Sequence, residues 1–414
     1  MQECDLPRER DKRSSMHKTR LTVLSAFSGL GGLDLGLEKA GFENVGCVEH
    51  CPTARESLSA NRPGWPLLEP NEVDALAEEI TPRSLGLRPR ELALLAGGPP
   101  CQPFSKAAQW SDSGRRGLKD PRSASLRGFF LLVERFLPKV ILIENVPGFV
   151  LGPQSARTLV ARALAQINRA NNTRYTLACA IIDAADYGAP QHRKRAILVA
   201  HRDGSEFVMP DPTHSADPVT AWDALAPLKG ANSASTTDGR GWLDLLPSIP
   251  EGHNYLWHTP RGGGIPLFGY RTRYWSFLLK LAKDRPAWTL AAQPGPYVGP
   301  FHWENRRLTE RELLRLQTIP VDWVVKGKSA ERVRQIGNAT PPLLAEVIGR
   351  SIANQFFEKA YSNPPQLSVR KLGQSPPPTP VVTVPSKFRK LAGNPPDHPG
   401  AGKGPRPRNQ ATAK

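Results

Sequence analysis

The sequence predicts an α/β fold, a doubly wound and mostly parallel sheet with a smaller irregular domain attached. Three observations carry that expectation. Short apolar runs alternate with helix-like stretches between Leu21 and Val199, as in sheets whose strands are covered on both faces by crossover helices. The first run ends in clustered glycines, where a strand turns tightly into a helix. Beyond Ala200 the periodicity fades, and residues 202–285 are rich in Pro, Gly, Trp and His.

The elements follow in order. Leu21–Phe27 is a short buried strand. The helix after it carries Leu33, Leu35, Leu37 and Ala40 and stops at Gly41. Val45–Glu49, Leu92–Ala96, Val140–Glu144 and Ala196–Ala200 read as further strands, while Glu72–Ile80, Ser125–Phe136 and Ala156–Arg169 show helical spacing. Amphipathic helices return at Thr309–Gln317 and Pro342–Phe357. No repeat of solenoid period is evident.

Composition bounds the rest. A chain of 414 residues suits two or three domains. Its formal charge of +17, from 55 Lys+Arg against 38 Asp+Glu, favours a polyanionic partner such as nucleic acid. Tyr361–Lys414 holds nine of those cations against one acid, Asp397, together with twelve of the 42 prolines, so a disordered basic tail is expected there. With that tail (+8) and Met1–Arg20 (+2) set aside, the remainder keeps about +7. No apolar run approaches the roughly 18 residues of a membrane span, and Met1–Arg20 is unlike a secretory signal. Five cysteines (Cys4, Cys47, Cys51, Cys101, Cys179), odd in number and without CxxC spacing, fit neither a disulfide framework nor a structural zinc site. No metal is expected.

Four segments could carry chemistry. Phe27-Ser28-Gly29-Leu30-Gly31-Gly32 joins a strand to a helix N-terminus, where backbone can approach a ligand and free N–H groups point at it. Glu49, about twenty residues on and at the end of the next strand, is placed to bond ribose hydroxyls. Cys101, in Gly97-Gly98-Pro99-Pro100-Cys101-Gln102-Pro103-Phe104-Ser105, follows an apolar strand and so belongs at the carboxyl edge of the sheet, where it is a candidate nucleophile. Glu144 ends the apolar run Val140–Ile143, a costly place for a carboxylate without a partner. In Gln191-His192-Arg193-Lys194-Arg195, alternation puts Arg193 and Arg195 on one face of a strand and His192 and Lys194 on the other.

Together these blocks resemble the C5-cytosine DNA methyltransferases, which use S-adenosylmethionine. Over residues 21–358 they occur in the family's order: Phe27–Gly32 for the cofactor motif, Pro100-Cys101-Gln102 for the nucleophile, Glu144-Asn145-Val146, and Gln191-x-Arg193-x-Arg195. Arg307-Leu308-Thr309-x-Arg311-Glu312 through Leu316-Gln317, and Gln335-Ile336-Gly337-Asn338-Ala339-Thr340-Pro341-Pro342, complete the set. Pro99 stands where the family has an aromatic residue, which should stiffen the loop, and the surroundings of Asp74 match the family's adenine-contacting acid poorly.

The resemblance implies a Rossmann-like methyltransferase domain over residues 21–201 after a flexible extension, 1–20. A target recognition domain would span 202–285, a packing segment and returning helix 286–360, and the basic tail 361–414. It implies that Cys101 adds to cytosine C6, that Glu144 bonds N3 and the amine, that Arg195 holds O2, and that Arg193 favours the thiolate. The C5 proton would leave through water. Phe27, Ser28, Gly29, Leu30, Gly31, Gly32, Glu49, Asp74, Pro100 and Asn338 would hold S-adenosylmethionine. Gln102, Ser105 and Arg122 would meet DNA, with Lys106–Ser123 as a lid over the flipped base. His253, His258, Arg261, Arg271 and Arg273 are candidate base-edge contacts.

The implied partner is double-stranded DNA, with a cognate restriction endonuclease acting independently. The implied protein is a monomer in the bacterial cytoplasm with no membrane partner. An RNA substrate would be expected with a Cys-Phe-Thr, which is missing from the sequence. Amino-methylation would need an Asn-Pro-Pro-aromatic block after a strand, and Asn394-Pro395-Pro396-Asp397 lies in the tail without the aromatic. A non-catalytic DNA-binding module need not keep Cys101, Glu144 and Arg195 together.

Overall fold

The computed structural model describes residues 20–100, 124–152, 155–228, 241–270 and 275–392. Cys101, Gln102, Ser105, Arg122 and the expected lid lie outside them, as do Arg271 and Arg273. One sheet runs in the order β2-β1-β3-β4-β6-β5, from β1 (Thr22–Ala26), β2 (Glu43–Val48), β3 (Leu94–Gly97), β4 (Val140–Asn145), β5 (Thr176–Asp183) and β6 (Lys194–His201). Strands β1 to β4 pair in parallel, and β6 runs antiparallel to both β4 and β5. Doubly wound and mostly parallel is therefore what the chain builds. Strand β5 escapes sequence reading because it is an edge strand, largely half-buried, and lacks a continuous apolar run.

Helices cover both faces. On one, α3 (Val73–Glu79), α4 (Ala124–Phe136) and α5 (Arg157–Asn171) bury Leu76, Phe129, Leu132 and Leu164 against Leu24, Leu95 and Ile141. On the other, α1 (Gly32–Lys39) and α9 (Pro342–Phe357) bury Leu37, Leu344 and Ile348 against Val23, Leu94 and Leu142. Two further helices, α2 (Pro52–Asn61) and α8 (Ser329–Asn338), have no long apolar stripe to announce them; α2 buries only Ala54, Ser57 and Leu58.

The contact between α1 and α9 depends on glycine. A Cβ on Gly32 would stand 2.2 Å from the Thr340 carbonyl oxygen, and one on Gly36 would stand 2.3 Å from that of Pro342. On α9, a Cβ at Gly349 would lie 2.8 Å from the Ala40 methyl. Backbones this close can pack only where side chains are missing.

The remaining chain forms a second lobe with little regular structure: a short α6 (Ala221–Leu225), 3-10 turns, and α7 (Glu310–Leu316) where it rejoins the sheet domain. Its centre is aromatic. Tyr255, Phe268 and Phe277 meet edge-to-face with centroids 5.6–6.2 Å apart, and Trp242 packs on Phe268 at 5.3 Å. This core also takes Phe301, Val384 and Phe388, so packing carries the lobe past residue 285 and recruits the C-terminal segment. The expectation of a disordered tail from Tyr361 is overturned for residues 361–392. Val369, Val384 and Phe388 supply buried apolar anchors that the proline count concealed.

The glycine contact makes a stability prediction. Gly36→Ala should destabilise the protein by about 1–3 kcal/mol through overpacking against α9, measured by urea unfolding. A loss near zero would mean that the helices separate freely.

Candidate active site

Parallel strands deliver their carboxyl ends to one edge, and Phe27, Glu49, Glu144 and Arg195 stand there. After β1 the backbone enters the left-handed region at Phe27 (φ 61°), Gly29 (φ 56°) and Gly31 (φ 84°). For phenylalanine this conformation costs roughly 1–2 kcal/mol. Such strain persists only where the surroundings impose it, commonly at ligand sites. Here the Gly29 N–H donates to Glu49 Oε2 at 2.7 Å, and the Cys51 N–H donates to Glu49 Oε1 at 2.7 Å. Glu49, 7% exposed, thus holds the turn while each of its oxygens keeps a lone pair for a further donor.

Other residues of the turn face inward. Ser28 Oγ lies 3.2 Å from Ser25 Oγ and 3.2 Å from Asp34 Oδ1, and Leu30 packs with Leu58, Trp65 and Trp323. Asp34 was not singled out in the sequence because its helical position looked ordinary. It is fully buried, and burial raises its carboxyl above the usual range despite bonds from Ser28, Asn44 and Cys47.

Glu144, next to last in β4, lies beside Gly98, where a Cβ would lie 3.3 Å from Glu144 Oε2. Arg195 pairs with it, Nε to Oε1 at 2.6 Å, with both side chains 10% exposed. The approach is off the N–H direction, so Glu144 Oε1 is buried in charge contact but, among the described residues, accepts no directed hydrogen bond. The next residue, Asn145, donates from Nδ2 to the Pro99 carbonyl at 2.9 Å. The strand carrying the carboxylate therefore holds the segment that leads, one residue beyond Pro100, into Cys101.

The two arginines are used differently. Arg193, 2% exposed, sends its guanidinium to the carbonyls of Gly337 (2.6 Å) and Leu290 (3.5 Å). Behind it Gln191, fully buried, accepts from the Leu290 N–H at 2.9 Å and donates to Gln317 Oε1 at 3.0 Å. Gln317 in turn donates to the Ile336 carbonyl at 2.6 Å. A chain of amides thus joins the start of β6 to the end of the second lobe, to α7 and to α8. Thr309 and Glu312 cap α7 reciprocally, which explains the Thr-x-x-Glu in the sequence.

Three candidates stand elsewhere. Asp74 lies on α3 against Gly128 of α4, whose Cβ would fall 2.4 Å from Asp74 Oδ1; burial raises its carboxyl above the usual range. Asn338 closes α8 and is exposed, while its neighbours Ala339 and Thr340 press on Gly32. His258, expected as a DNA contact, is interior. It is 1% exposed, bonds Ser248 Oγ at 2.9 Å and the Ile265 carbonyl at 3.1 Å, and burial lowers its pKa. His253 is exposed beside Trp257, and Arg261 lies over the Tyr270 ring at 4.0 Å. Among the described residues no cluster of His, Cys, Asp and Glu could hold a metal ion. No helix among them is long and apolar enough to cross a membrane.

His192 lies at the mouth of this edge, its ring 3.2 Å from Asp183 and 5.9 Å from Trp288. The hydrogen bond to Asp183 raises the His192 pKa. Burial works against ionisation of Asp183, but the bonds from His192 and from the Arg193 and Ala185 N–H groups bring its carboxyl below the usual range. A histidine raised in the folded state contributes stability in full below its unfolded pKa, near 6.5, and loses it as pH rises through the folded value. The advantage of the wild type over His192→Ala in urea midpoint should therefore shrink as pH rises from about 6 to about 9. A constant difference would remove the ion pair from the account.

The comparisons with known proteins agree with one another. The family described as C-5 cytosine-specific DNA methylase matches residues 21–354. The Type II methyltransferase M.SacI of Streptomyces achromogenes is 35% identical, over 81% of this chain and 93% of its own length. M1.HphI of Haemophilus parahaemolyticus is 31% identical, over 80% and 86%. Among solved structures, a candidate DNA modification methyltransferase encoded within an E. coli prophage shares the fold at TM-score 0.53 and 23% identity, over 81% of this chain and 99% of that one. The DNMT2 of Spodoptera frugiperda does so at TM-score 0.53 and 16% identity, over 80% and 99%.

Proposed function

The chain belongs to the C-5 cytosine-specific DNA methylase family, and on that premise we propose that it methylates C5 of a cytosine flipped out of a specific duplex sequence, through a covalent bond from Cys101. The observation that carries this reading is the buried, undirected Glu144 oxygen beside Arg195, on a strand that also anchors the entry to Cys101.

The residues present fit S-adenosylmethionine. Glu49 retains acceptor capacity for ribose hydroxyls, the strained Phe27 offers a half-buried ring, and Gly29 and Gly98 leave backbone bare on either side. Bound there, S-adenosylmethionine would supply an electrophilic methyl group. Asp74, turned towards α4, is a weaker candidate for the adenine than its position in the sequence implied. Cytosine C5 is not nucleophilic by itself. The Cys101 thiolate adds to C6, and the π electrons of the C5–C6 bond move to C5. Glu144, carrying a proton, donates to N3 and accepts from the amine, while Arg195 holds O2, so charge on the ring is stabilised where it develops. Once C5 is methylated, its proton passes to water and the S–C6 bond breaks, restoring the double bond and the thiolate. Because C5 and C6 lie inside the stack, the base must leave the duplex first.

Arg193 serves this site by position. Its bonds to Gly337 and Leu290 keep β6, and with it Arg195, in register with the second lobe. That lobe would read base edges. The Type II relatives favour a role in restriction–modification, with an endonuclease that acts independently.

The test is transfer of labelled methyl from S-adenosylmethionine to unmethylated duplex DNA, with transfer RNA in parallel. Label on DNA cytosine within one short motif is expected. Cys101→Ala should abolish it while DNA binding persists, and Glu144→Gln should lower turnover about 10²-fold or more. Label on RNA alone would overturn the substrate, and an active Cys101→Ala would overturn the covalent step.

A further inference from the structure

Residues 361–392 lie beyond the part of the chain that the family matches, yet they are packed at three separate places. The first is the sheet domain. Tyr361 Oη donates to the Ala40 carbonyl at 2.5 Å, and the N–H groups of Gln366 and Leu367 donate to the two oxygens of Glu346 at 2.7 and 3.0 Å. Glu346 is fully buried on α9 and paired with Arg350 at 2.6 Å, so its charge is spent on holding this segment.

The second place is the junction. Val369 enters the cluster of Val219, Leu225, Leu281, Trp303 and Leu316, where α6 and α7 meet. The Leu372 N–H donates at 2.6 Å to Oδ1 of Asp223, whose other oxygen caps α6, and Lys371 pairs with Asp217.

The third is the second lobe. Lys283 reaches the Pro377 carbonyl (3.2 Å) and Glu251 (2.7 Å), and the same Glu251 accepts from the Thr379 N–H at 2.9 Å. The Val382 N–H donates to the Pro247 carbonyl at 2.9 Å, and Phe388 stacks on Trp242 at 5.5 Å with 19° between the rings. Prolines at 376–378, 380 and 385 suit such a path. They keep the backbone extended between anchors and lower the entropy lost on ordering it.

We propose that residues 361–392 are a splint that fixes the second lobe over the carboxyl edge of the sheet and so sets how well DNA is held there, leaving the transfer step to the residues at the edge. The proposal rests on the methyltransferase reading for its DNA consequence, but not for its mechanical one. Two bodies joined at one junction rotate about it; a tether anchored on both removes that freedom before DNA arrives, and binding no longer has to supply the ordering.

The test shortens the chain to end at Gln374, which keeps the anchors at Glu346 and Asp223 and removes those on Lys283, Glu251, Pro247 and Trp242. KM for DNA should rise about tenfold while kcat stays within about twofold and half-saturation by S-adenosylmethionine is unchanged. Amide exchange should accelerate in residues 243–268 and stay constant in β1 to β4. Should the shortened chain not fold, Phe388→Ala in the full chain asks the same question with the same readouts. Unchanged KM for DNA with unchanged exchange, or a parallel fall in every parameter, would reduce the segment to plain stabilisation and overturn the proposal. If the full chain transfers no methyl to DNA, the methyltransferase reading fails, and the exchange experiment still decides the splint.

Discussion

The close approach of α9 to α1 is the constraint on which the rest of the structure depends. Gly32, Gly36 and Gly349 let two helices about 300 residues apart in sequence pack backbone to backbone. The chain must therefore leave the sheet domain after β6, build the second lobe, and return to cover the face it left open. That return presses Thr340 onto the first turn of α1, directly beneath the glycine turn at Phe27–Gly31. Opening this contact would loosen the turn, the α8 end that abuts it, and the Arg193–Gly337 bond at the same time.

Onto this frame the edge residues are fixed mostly by backbone partners. Glu49 is held by two N–H groups, Pro99 by Asn145, Arg193 by two carbonyls, and Gln191 by an amide relay to Gln317 and Ile336. Fixing charged groups through rigid main chain is how a site acquires its orientation before a substrate enters. Glu144 is the exception: among the described residues, its close cation Arg195 approaches off-axis, which leaves one oxygen ready for a better-directed partner. The C-terminal segment extends the same logic to a larger scale, with buried carboxylates at 346, 223 and 251 each accepting from its backbone.

Much of this was legible from sequence, for physical reasons that can be named. Strands buried on both faces appear as continuous apolar runs, so β1, β3, β4 and β6 were visible. The half-buried edge strand β5 and the lightly buried α2 gave no such signal. Glu144 stood out because a carboxylate ending an apolar strand needs a reason. Asp34 did not, since a helix can carry an acid on any exposed face and nothing local reveals that this one is buried. Alternation put Arg193 and Arg195 on a common face, but it could not show that one pairs with Glu144 and the other with backbone carbonyls, because those partners come from 51 to 144 positions away. The tail misled for the opposite reason. Its composition forbids helices and central strands, and neither is needed for a segment that binds through three buried apolar side chains and isolated N–H groups.

On the proposed function, this edge acts on C5 of cytosine in DNA. Mass spectrometry of the nucleosides released from duplex DNA, after incubation with the protein and S-adenosylmethionine, tests it most directly. 5-Methylcytosine is the expected new nucleoside. Methyl groups on the amino nitrogen of cytosine or adenine, with C5 unmodified, would contradict it.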